Sequence, residues 1–326
     1  MENILEIKNL SISIGDKETG FEVVSDVSIS VPKGKIIGIV GESGCGKTIT
    51  ALSIMRLLPD PPAKITGGEI IFKDNNILEM SKDELRDIRG SDISMIFQEP
   101  VSSLNPVFTI GEQIGETIRT HNYINSKGER DKVIELLNLV GIPEPDRRYS
   151  NYPHEMSGGM CQRVMIAMAL CCSPDLLIAD EPTTALDVTV EAGIIDLIDK
   201  LRNELGMSVI LITHDLGIIS EIADEVYVMY AGRIVERAQN ELLFSSPKHP
   251  YTVGLLNSIP DLSGDIQKDL KMIKGNIPSA KNYPEGCRFN DRCGLVIEKC
   301  KHDLPILKKI SENHESACFR SEEVSL

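Results

Sequence analysis

No apolar run in this chain approaches the ~18–20 residues that a membrane-crossing helix needs, so it is not expected to span a bilayer. The first ten residues carry Glu2, Glu6 and Lys8 where a signal peptide would have an apolar core, so secretion is not expected either. Positive charge is in deficit: 34 Lys and Arg stand against 49 Asp and Glu, a formal net charge of −15. So acidic a chain is a poor partner for a phosphate backbone, which argues against nucleic-acid binding. Cysteine is too sparse, at eight in 326 residues, for a disulfide scaffold. There is no internal repeat and no low-complexity tract. What is present, 41% hydrophobic and 25% charged residues, is the composition of a folded protein. Its length suits about two domains, or one large domain with an appendage.

The chain opens β-rich. Residues 4–7 and 10–14 alternate apolar and polar, as half-buried strands do, and 23–31 repeats the pattern before Pro32-Lys33-Gly34. Residues 35–40 are almost wholly apolar, which suits a parallel strand buried on both faces. Beyond position 47, Ile49, Leu52, Ile54, Met55 and Leu58 form a helical stripe that Pro59 stops. A charged helix is expected around 81–88 and mainly helix over 109–172. Apolar strands follow at 176–179 and 208–212, and Asp187 can cap a helix between them that Gly206 closes. Strands alternating with helices predict an α/β domain with a mainly parallel core sheet. From about 240 onward prolines and glycines punctuate short polar stretches.

Gly41-Glu42-Ser43-Gly44-Cys45-Gly46-Lys47-Thr48 fits the pattern G-x-x-x-x-G-K-[ST], after a predicted strand and before a predicted helix. Glycines let the backbone wrap a phosphate with its N–H groups inward, and the helix points its positive end at the anion. Lys47 adds a mobile charge for the β- and γ-phosphates, and the Thr48 hydroxyl can ligate Mg²⁺. A second site must hold the metal and activate water. The strand 176–179 ends in Asp180-Glu181, one carboxylate for the Mg²⁺ shell and the next to polarise water.

Ser157-Gly158-Gly159-Met160-Cys161-Gln162-Arg163, just upstream of that strand, resembles the signature motif of ABC-type ATPases. Gln98 resembles the Q-loop glutamine of that family, Ala185-Leu186-Asp187 its D-loop and His214 its switch histidine, a resemblance over about residues 1–245. Residues 98–106, 109–113 and 247–252 further look like the ATP-binding subunits of oligopeptide and dipeptide importers, and 287–293 is similar to the C-terminal region of that subfamily. There are two departures. Cys161 stands where many relatives carry Arg, which adds a thiol near the nucleotide interface. Ile14 stands where an aromatic usually stacks on adenine, with Phe21 a substitute.

The resemblance implies an α/β fold: a P-loop NTPase with a RecA-like core, an antiparallel β subdomain, a helical subdomain and a small C-terminal cysteine-rich extension. The expected domains are an ATPase domain at 1–245 with its helical subdomain at about 99–172, an irregular extension at 246–286, and a cysteine-held unit at 287–326. It implies a second ATPase subunit, the same chain or a paralogue, set head to tail so that each ATP lies between the phosphate loop of one subunit and the signature motif of the other. Lys47 and Thr48 would grip ATP and Mg²⁺, Asp180 and Gln98 complete the metal shell, Glu181 act as general base and His214 touch the γ-phosphate. Asp187 would couple the two sites. Two transmembrane permease subunits would receive the motion on the cytoplasmic face of the cell membrane, and an extracytoplasmic peptide-binding protein would act indirectly. The other readings are a nickel or other metal-ion importer subunit and a non-transport ABC ATPase. Against the latter, there is a single phosphate loop, and no sustained heptads lie between Lys47 and Asp180.

Cys287, Cys293, Cys300 and Cys318 crowd the last forty residues as C-x5-C-x6-C-x17-C. That is neither the C-x2-C of common zinc ribbons nor a ferredoxin run, so spacing alone leaves iron–sulfur, zinc or free thiols open. Arg288, Arg292, Lys299, Lys301 and Arg320 lie among them and could offset a tetrathiolate. The resemblance favours ligands of a [4Fe–4S] cluster, with zinc as the alternative. So small a unit has little core, and loss of Cys293 is expected to loosen it while sparing ATP binding.

Overall fold

A computed structural model describes residues 2–16, 20–121, 126–184, 187–258 and 273–326. Ala185 and Leu186 of the expected D-loop, and 259–272 of the expected extension, lie outside the described residues. The chain divides into two compact units. One comprises Met1–Ile4, Pro32–Gly34 and Glu79–Ile210; the other comprises Leu5–Val31, Lys35–Leu78 and Leu211–Leu326.

The second unit holds most of a long strand, β1 (Asn3–Ile14), and of β2 (Phe21–Pro32), followed by β3 (Ile36–Val40), α1 (Lys47–Ile54), β4 (Ala63–Phe72) and β5 (Asn75–Asn76). The two short strands expected at 4–7 and 10–14 are one strand with a bulge. Asn9 takes a left-handed φ of 49°, and the pairing with β4 slips between Lys8 and Ile12. The extra residue restores the alternation, so Leu5, Ile7, Leu10 and Ile12 are all buried. These strands form an antiparallel sheet in the order β2-β1-β4-β5. Helix α1 is shorter than its apolar stripe suggests. Arg56 adopts φ 48°, and the bonds Arg56 N–H to Ser53 O and Leu57 N–H to Leu52 O close the end as a Schellman motif, leaving Leu58 outside.

The first unit carries α2 (Lys82–Ile88), β6 (Ile93–Ile96), α3 (Pro100–Ser103), α4 (Ile110–His121), α5 (Ser126–Leu139), α6 (Pro145–Arg148), α7 (Gly158–Leu170), β7 (Leu176–Asp180) and α8 (Val188–Leu205). A capping box opens α2: Ser81 Oγ accepts from Glu84 N–H at 3.3 Å, and the Glu84 carboxylate accepts from Ser81 N–H at 2.8 Å. β6 and β7 pair in parallel, and parallel partners need a long crossover, which here is the helical stretch between them. Its core is the apolar faces of three helices: Ile110, Ile114 and Ile118 of α4, Val133, Leu136 and Leu137 of α5, and Val164 and Ile166 of α7. Asp187 caps α8 by accepting from Val190 N–H at 3.0 Å, and Gly206 closes it at φ 68°, as its sequence predicts.

β8 (Ser208–Thr213) leads back into the second unit. There follow α9 (Leu216–Ile222), β9 (Glu225–Tyr230), β10 (Arg233–Gln239), α10 (Asn240–Ser245), α11 (Pro250–Leu256), α12 (Glu298–His302), β11 (Lys308–Ser311) and β12 (His314–Ser316). β9 runs parallel to β3, β10 antiparallel to β9, β12 antiparallel to β10 and β11 antiparallel to β12. The segment after 240 is thus more regular than its prolines suggest, and the cysteine-bearing end adds strands to the β9–β10 edge. A buried network fastens it there. Glu236 of β10, wholly buried, accepts from His249 N–H at 2.9 Å and bonds His314 Nε2 of β12 at 2.6 Å. Among the described residues no helix is long and apolar enough to cross a membrane.

Candidate functional site

In the second unit, buried β3 delivers the chain into the loop 41–48. Its glycines are required for different reasons. At Gly41 (φ 155°) an added Cβ would lie 2.2 Å from Met229 O, so the backbone hugs β9 too closely for any side chain. At Gly44 (φ 81°) nothing is near, and the requirement is the left-handed backbone alone. Gly46 (φ 111°) starts α1, whose N-terminus has no side-chain cap and no acidic residue in its first turn. Such an end leaves N–H groups and a positive dipole for an anion. Lys47 is 5% exposed, its Nζ donating to Gly41 O at 2.7 Å and Glu42 O at 3.2 Å. Ser43, Gly44 and Thr48 are exposed along the rim. Cys45 is fully buried, and burial pushes its thiol up, so its side chain serves packing while the phosphate face belongs to the backbone. His214, exposed, follows β8, and Asp215 beside it caps α9 by accepting from Gly217 N–H at 2.7 Å.

In the first unit, strand pairing sets the second cluster. Ile96 of β6 stands opposite Ala179 of β7, so Gln98 and Glu181 emerge from neighbouring strand ends. Gln98 Nε2 donates to Glu181 Oε2 at 3.0 Å, and Thr184 Oγ1 donates to the same oxygen at 3.1 Å. Asp180 is 2% exposed at the end of the strand. Glu181 has φ 46°, a left-handed conformation uncommon for a residue with a side chain and found where tertiary structure holds a functional group in place. These residues form an oxygen-rich set suited to a hard cation and a polarised water.

Ser157 caps α7, its Oγ accepting from Met160 N–H at 3.3 Å. The two glycines are the first residues of the helix rather than a turn before it. Ser157 and Gly158 are exposed. A Cβ on Gly159 would meet Val190 of α8 at 2.8 Å, so this glycine is also a packing requirement. Cys161 does not add a reactive thiol to this surface. It is 1% exposed, its Sγ lies 3.6 Å from Pro153 O, and burial pushes its thiol up. Phe21 stands at the start of β2 with Lys281 Nζ 5.3 Å from its ring centroid.

The segment 247–252 serves as a family marker in the sequence, yet it touches the loop. Tyr251 Oη accepts from Glu42 N–H at 2.8 Å. His249, wholly buried with its pKa lowered to about 3, is a neutral imidazole whose Nδ1 accepts from Tyr251 N–H at 3.1 Å. Arg292 adds a bidentate pair to the Glu42 carboxylate at 2.7 and 3.0 Å. No local pattern in the sequence announces the two contacts on Glu42, because they join positions more than two hundred residues apart.

Cys287, Cys293, Cys300 and Cys318 are all free thiols, and all four line one tight cavity of about 10 Å³ with Phe289, His249 and Pro305. Leu295 N–H donates to Cys293 Sγ at 3.3 Å, and Arg320 N–H donates to Cys318 Sγ at 3.4 Å. Burial and the neighbouring thiols push Cys287 up to about 12 and Cys318 up to about 11. Among the described residues no group of three or more His, Cys, Asp or Glu could hold a metal ion. The cations between the cysteines are mostly engaged elsewhere, contrary to the charge-offset expectation. Arg288 donates to Ala231 O and Ser25 Oγ, Arg292 pairs with Glu42, Lys301 pairs with Glu298, and Lys299 sits over the Phe319 ring. Arg320 pairs with Glu323, but its charge is felt by Cys293.

Residues 24–184 match the family model described as "ABC transporter", and residues 235–300 match "Oligopeptide/dipeptide transporter, C-terminal region". A "Probable peptide ABC transporter ATP-binding protein" of Sinorhizobium fredii is 50% identical over 98% of this chain and 96% of its own length. The dipeptide transport ATP-binding protein DppD of Bacillus subtilis is 46% identical over 98% of this chain and 95% of its own. Among solved structures, the dimeric post-hydrolysis state of the ATP-binding cassette MJ0796 bound to ADP and Pi superimposes with a TM-score of 0.65 at 27% identity, over 72% of this chain and 98% of that one.

Proposed function

This chain belongs to the ATP-binding subunits of ABC-type peptide transporters, and from that premise we propose how its residues divide the work of ATP-driven peptide uptake. As an ABC ATPase it hydrolyses ATP. Lys47 and the backbone N–H groups of the loop 41–48 bind the phosphates, except that of Glu42, which Tyr251 Oη already takes. Lys47 leaves the loop carbonyls it now bonds and moves onto the β- and γ-oxygens. Mg²⁺, when bound, neutralises charge developing on the phosphates, and the oxygen donors that would hold it are Thr48, Asp180 and Gln98. Glu181 takes a proton from the attacking water, and His214 stabilises the transferring group. The observation that carries the hydrolysis reading is Gln98 Nε2 on Glu181 Oε2, a bond that holds the base from the neighbouring strand end.

The exposed Ser157 and Gly158 present a helix N-terminus to the nucleotide of an opposed second ATPase subunit, and Asp187, exposed at the start of α8, couples the two sites. The permease subunits dock on the helical stretch, where Asn105, Phe108, Gln113, Thr117, His121 and Met168 line an open groove beside the 71%-exposed Val107. In this reading the subunit works at the cytoplasmic face of the membrane, with a peptide-binding protein on the far side supplying cargo. The C-terminal match favours peptide over metal-ion cargo.

A thiolate-bound group at the four cysteines is proposed on the family resemblance, since they form no ready-made metal site among the described residues. They converge on one cavity, form no disulfide, and two of them already accept backbone N–H bonds of the kind that stabilise ligated sulfur. The preference for a [4Fe–4S] cluster over one zinc ion comes from the family resemblance alone. Such a cluster would supply cross-linking of residues 287–318 and a redox-sensitive charge.

Glu181→Gln tests the reading. ATP still binds, and turnover falls by about 10²-fold or more, the usual contribution of a general base. Turnover within twofold of the unaltered protein removes Glu181 from that role.

A further inference from the structure

Glu42 is the second residue of the phosphate loop, and the C-terminal region holds it by two groups at once. Tyr251 takes its N–H at 2.8 Å, and Arg292 takes both carboxylate oxygens at 2.7 and 3.0 Å. This is a shielded pair: the Arg292 side chain is 5% exposed and the Glu42 side chain 34%. Arg292 is itself anchored, its Nε donating to Lys274 O at 2.9 Å. Tyr251, Tyr230 and Phe289 pack ring on ring at centroid distances of 4.6 to 5.5 Å, and Phe289 lines the cysteine cavity. Arg292 precedes Cys293 directly. Glu42 O also accepts from Lys47 Nζ, so whatever positions Glu42 positions the carbonyl that the phosphate-binding lysine leans on.

We propose that Arg292 and Tyr251 are positioning residues of the ATPase: they fix the phosphate loop through Glu42 and thereby set its affinity for ATP. The proposal rests on the reading of residues 41–48 as the ATP phosphate loop. A bidentate Arg–carboxylate pair fixes direction as well as distance, and its partial burial spares it the screening that empties surface pairs of energy. A loop so held meets the triphosphate preorganised; once released, it must be ordered again on each binding event.

The experiment uses the full chain and reads the Kd of a fluorescent ATP analogue, competed with ATP, together with kcat and KM for hydrolysis. Arg292→Ala raises Kd and KM about tenfold, the equivalent of ~1.4 kcal/mol, and leaves kcat within twofold. Arg292→Lys recovers only part, since an ammonium cannot match the fork. Glu42→Gln, a change at a partly exposed side chain that keeps the fold, weakens ATP to a similar degree. The double variant Glu42→Gln/Arg292→Ala is no weaker than Arg292→Ala alone. A merely structural loss instead lowers kcat with the folded fraction, leaves KM in place, and makes the two changes additive; that result overturns the proposal. Lys47→Ala separates the two layers. If it loses ATP while Arg292→Ala and Glu42→Gln bind as the unaltered chain does, the positioning role falls and the loop assignment stands. If Lys47→Ala binds ATP normally, the loop assignment falls and the proposal falls with it.

Discussion

The phosphate loop and the cysteine cavity sit in the same compact unit and are built on opposite principles. The loop is eight consecutive residues whose chemistry is backbone N–H groups, one lysine and one hydroxyl. Its glycines are dictated by φ values of 155°, 81° and 111° and by the nearness of Met229 O. The cavity collects four thiols spread over residues 287–318, and its chemistry exists only after β12 has paired with β10 and Glu236 has bonded His249 and His314. A contiguous motif carries its own geometry. A dispersed one borrows it from the fold, so it is the more sensitive to distant changes and the better suited to report them.

The largest expected effect breaks the loop while leaving the cavity intact. Gly41→Val puts a branched side chain where a Cβ already collides with Met229 O, in a backbone region closed to it. It should abolish ATP binding and cost roughly 3 kcal/mol of stability, read by nucleotide titration and denaturant unfolding. Residues 287–320 should stay as protected from protease as before.

The converse break sharpens the comparison. Cys293→Ser with Cys300→Ser removes half of the cavity's donors and should expose residues 287–320 to protease. On sequence grounds such a change spares ATP binding. The Arg292–Glu42 pair predicts instead a several-fold rise in the Kd for ATP. Iron, acid-labile sulfide and zinc per chain, measured on protein purified without oxygen, belong with this pair. About four irons with four sulfides, lost in the double variant, support the cluster; one zinc without sulfide replaces it with a structural zinc module.

A smaller effect is expected where the functional group is also a helix cap. Ser157→Ala should cost about 1 kcal/mol through α7 and lower ATP turnover, whereas Ser157→Asn should restore the stability alone. Recovery of both by Asn would reduce Ser157 to a cap.

The smallest effect compares thiols. Alkylation of the native protein should label the half-exposed Cys172 and pass over Cys45 and Cys161, whose side chains point into packed interior. Fast labelling of Cys161 would return it to the nucleotide-facing surface.

Much of the candidate site was legible in order along the chain. The loop 41–48, the strand ending at Asp180-Glu181, the Asp187 and Gly206 boundaries of α8 and the Ser157 cap all depend on local backbone rules, which a sequence expresses directly. The bulge at Asn9 and the early stop of α1 at Arg56 were not legible. Each rests on a left-handed residue that is not glycine, held by neighbours rather than by its own preference. β11 and β12 escaped for a related reason. They are four and three residues long, and β11 is exposed throughout, so no alternation marks them.

By itself, then, the sequence determined the nature of the chemistry: a phosphate cradle, a carboxylate pair, a capped signature helix and four clustered cysteines, because each is a short pattern bound to a local geometry. Only the tertiary structure decided who holds the cradle. Strand pairing set Gln98 against Glu181, turned Cys45 and Cys161 inward, drew the four thiols to one cavity, and brought Tyr251 and Arg292 to Glu42. Contacts between residues far apart in the chain follow from the closure of a sheet and the burial of its faces, and no local spacing encodes them.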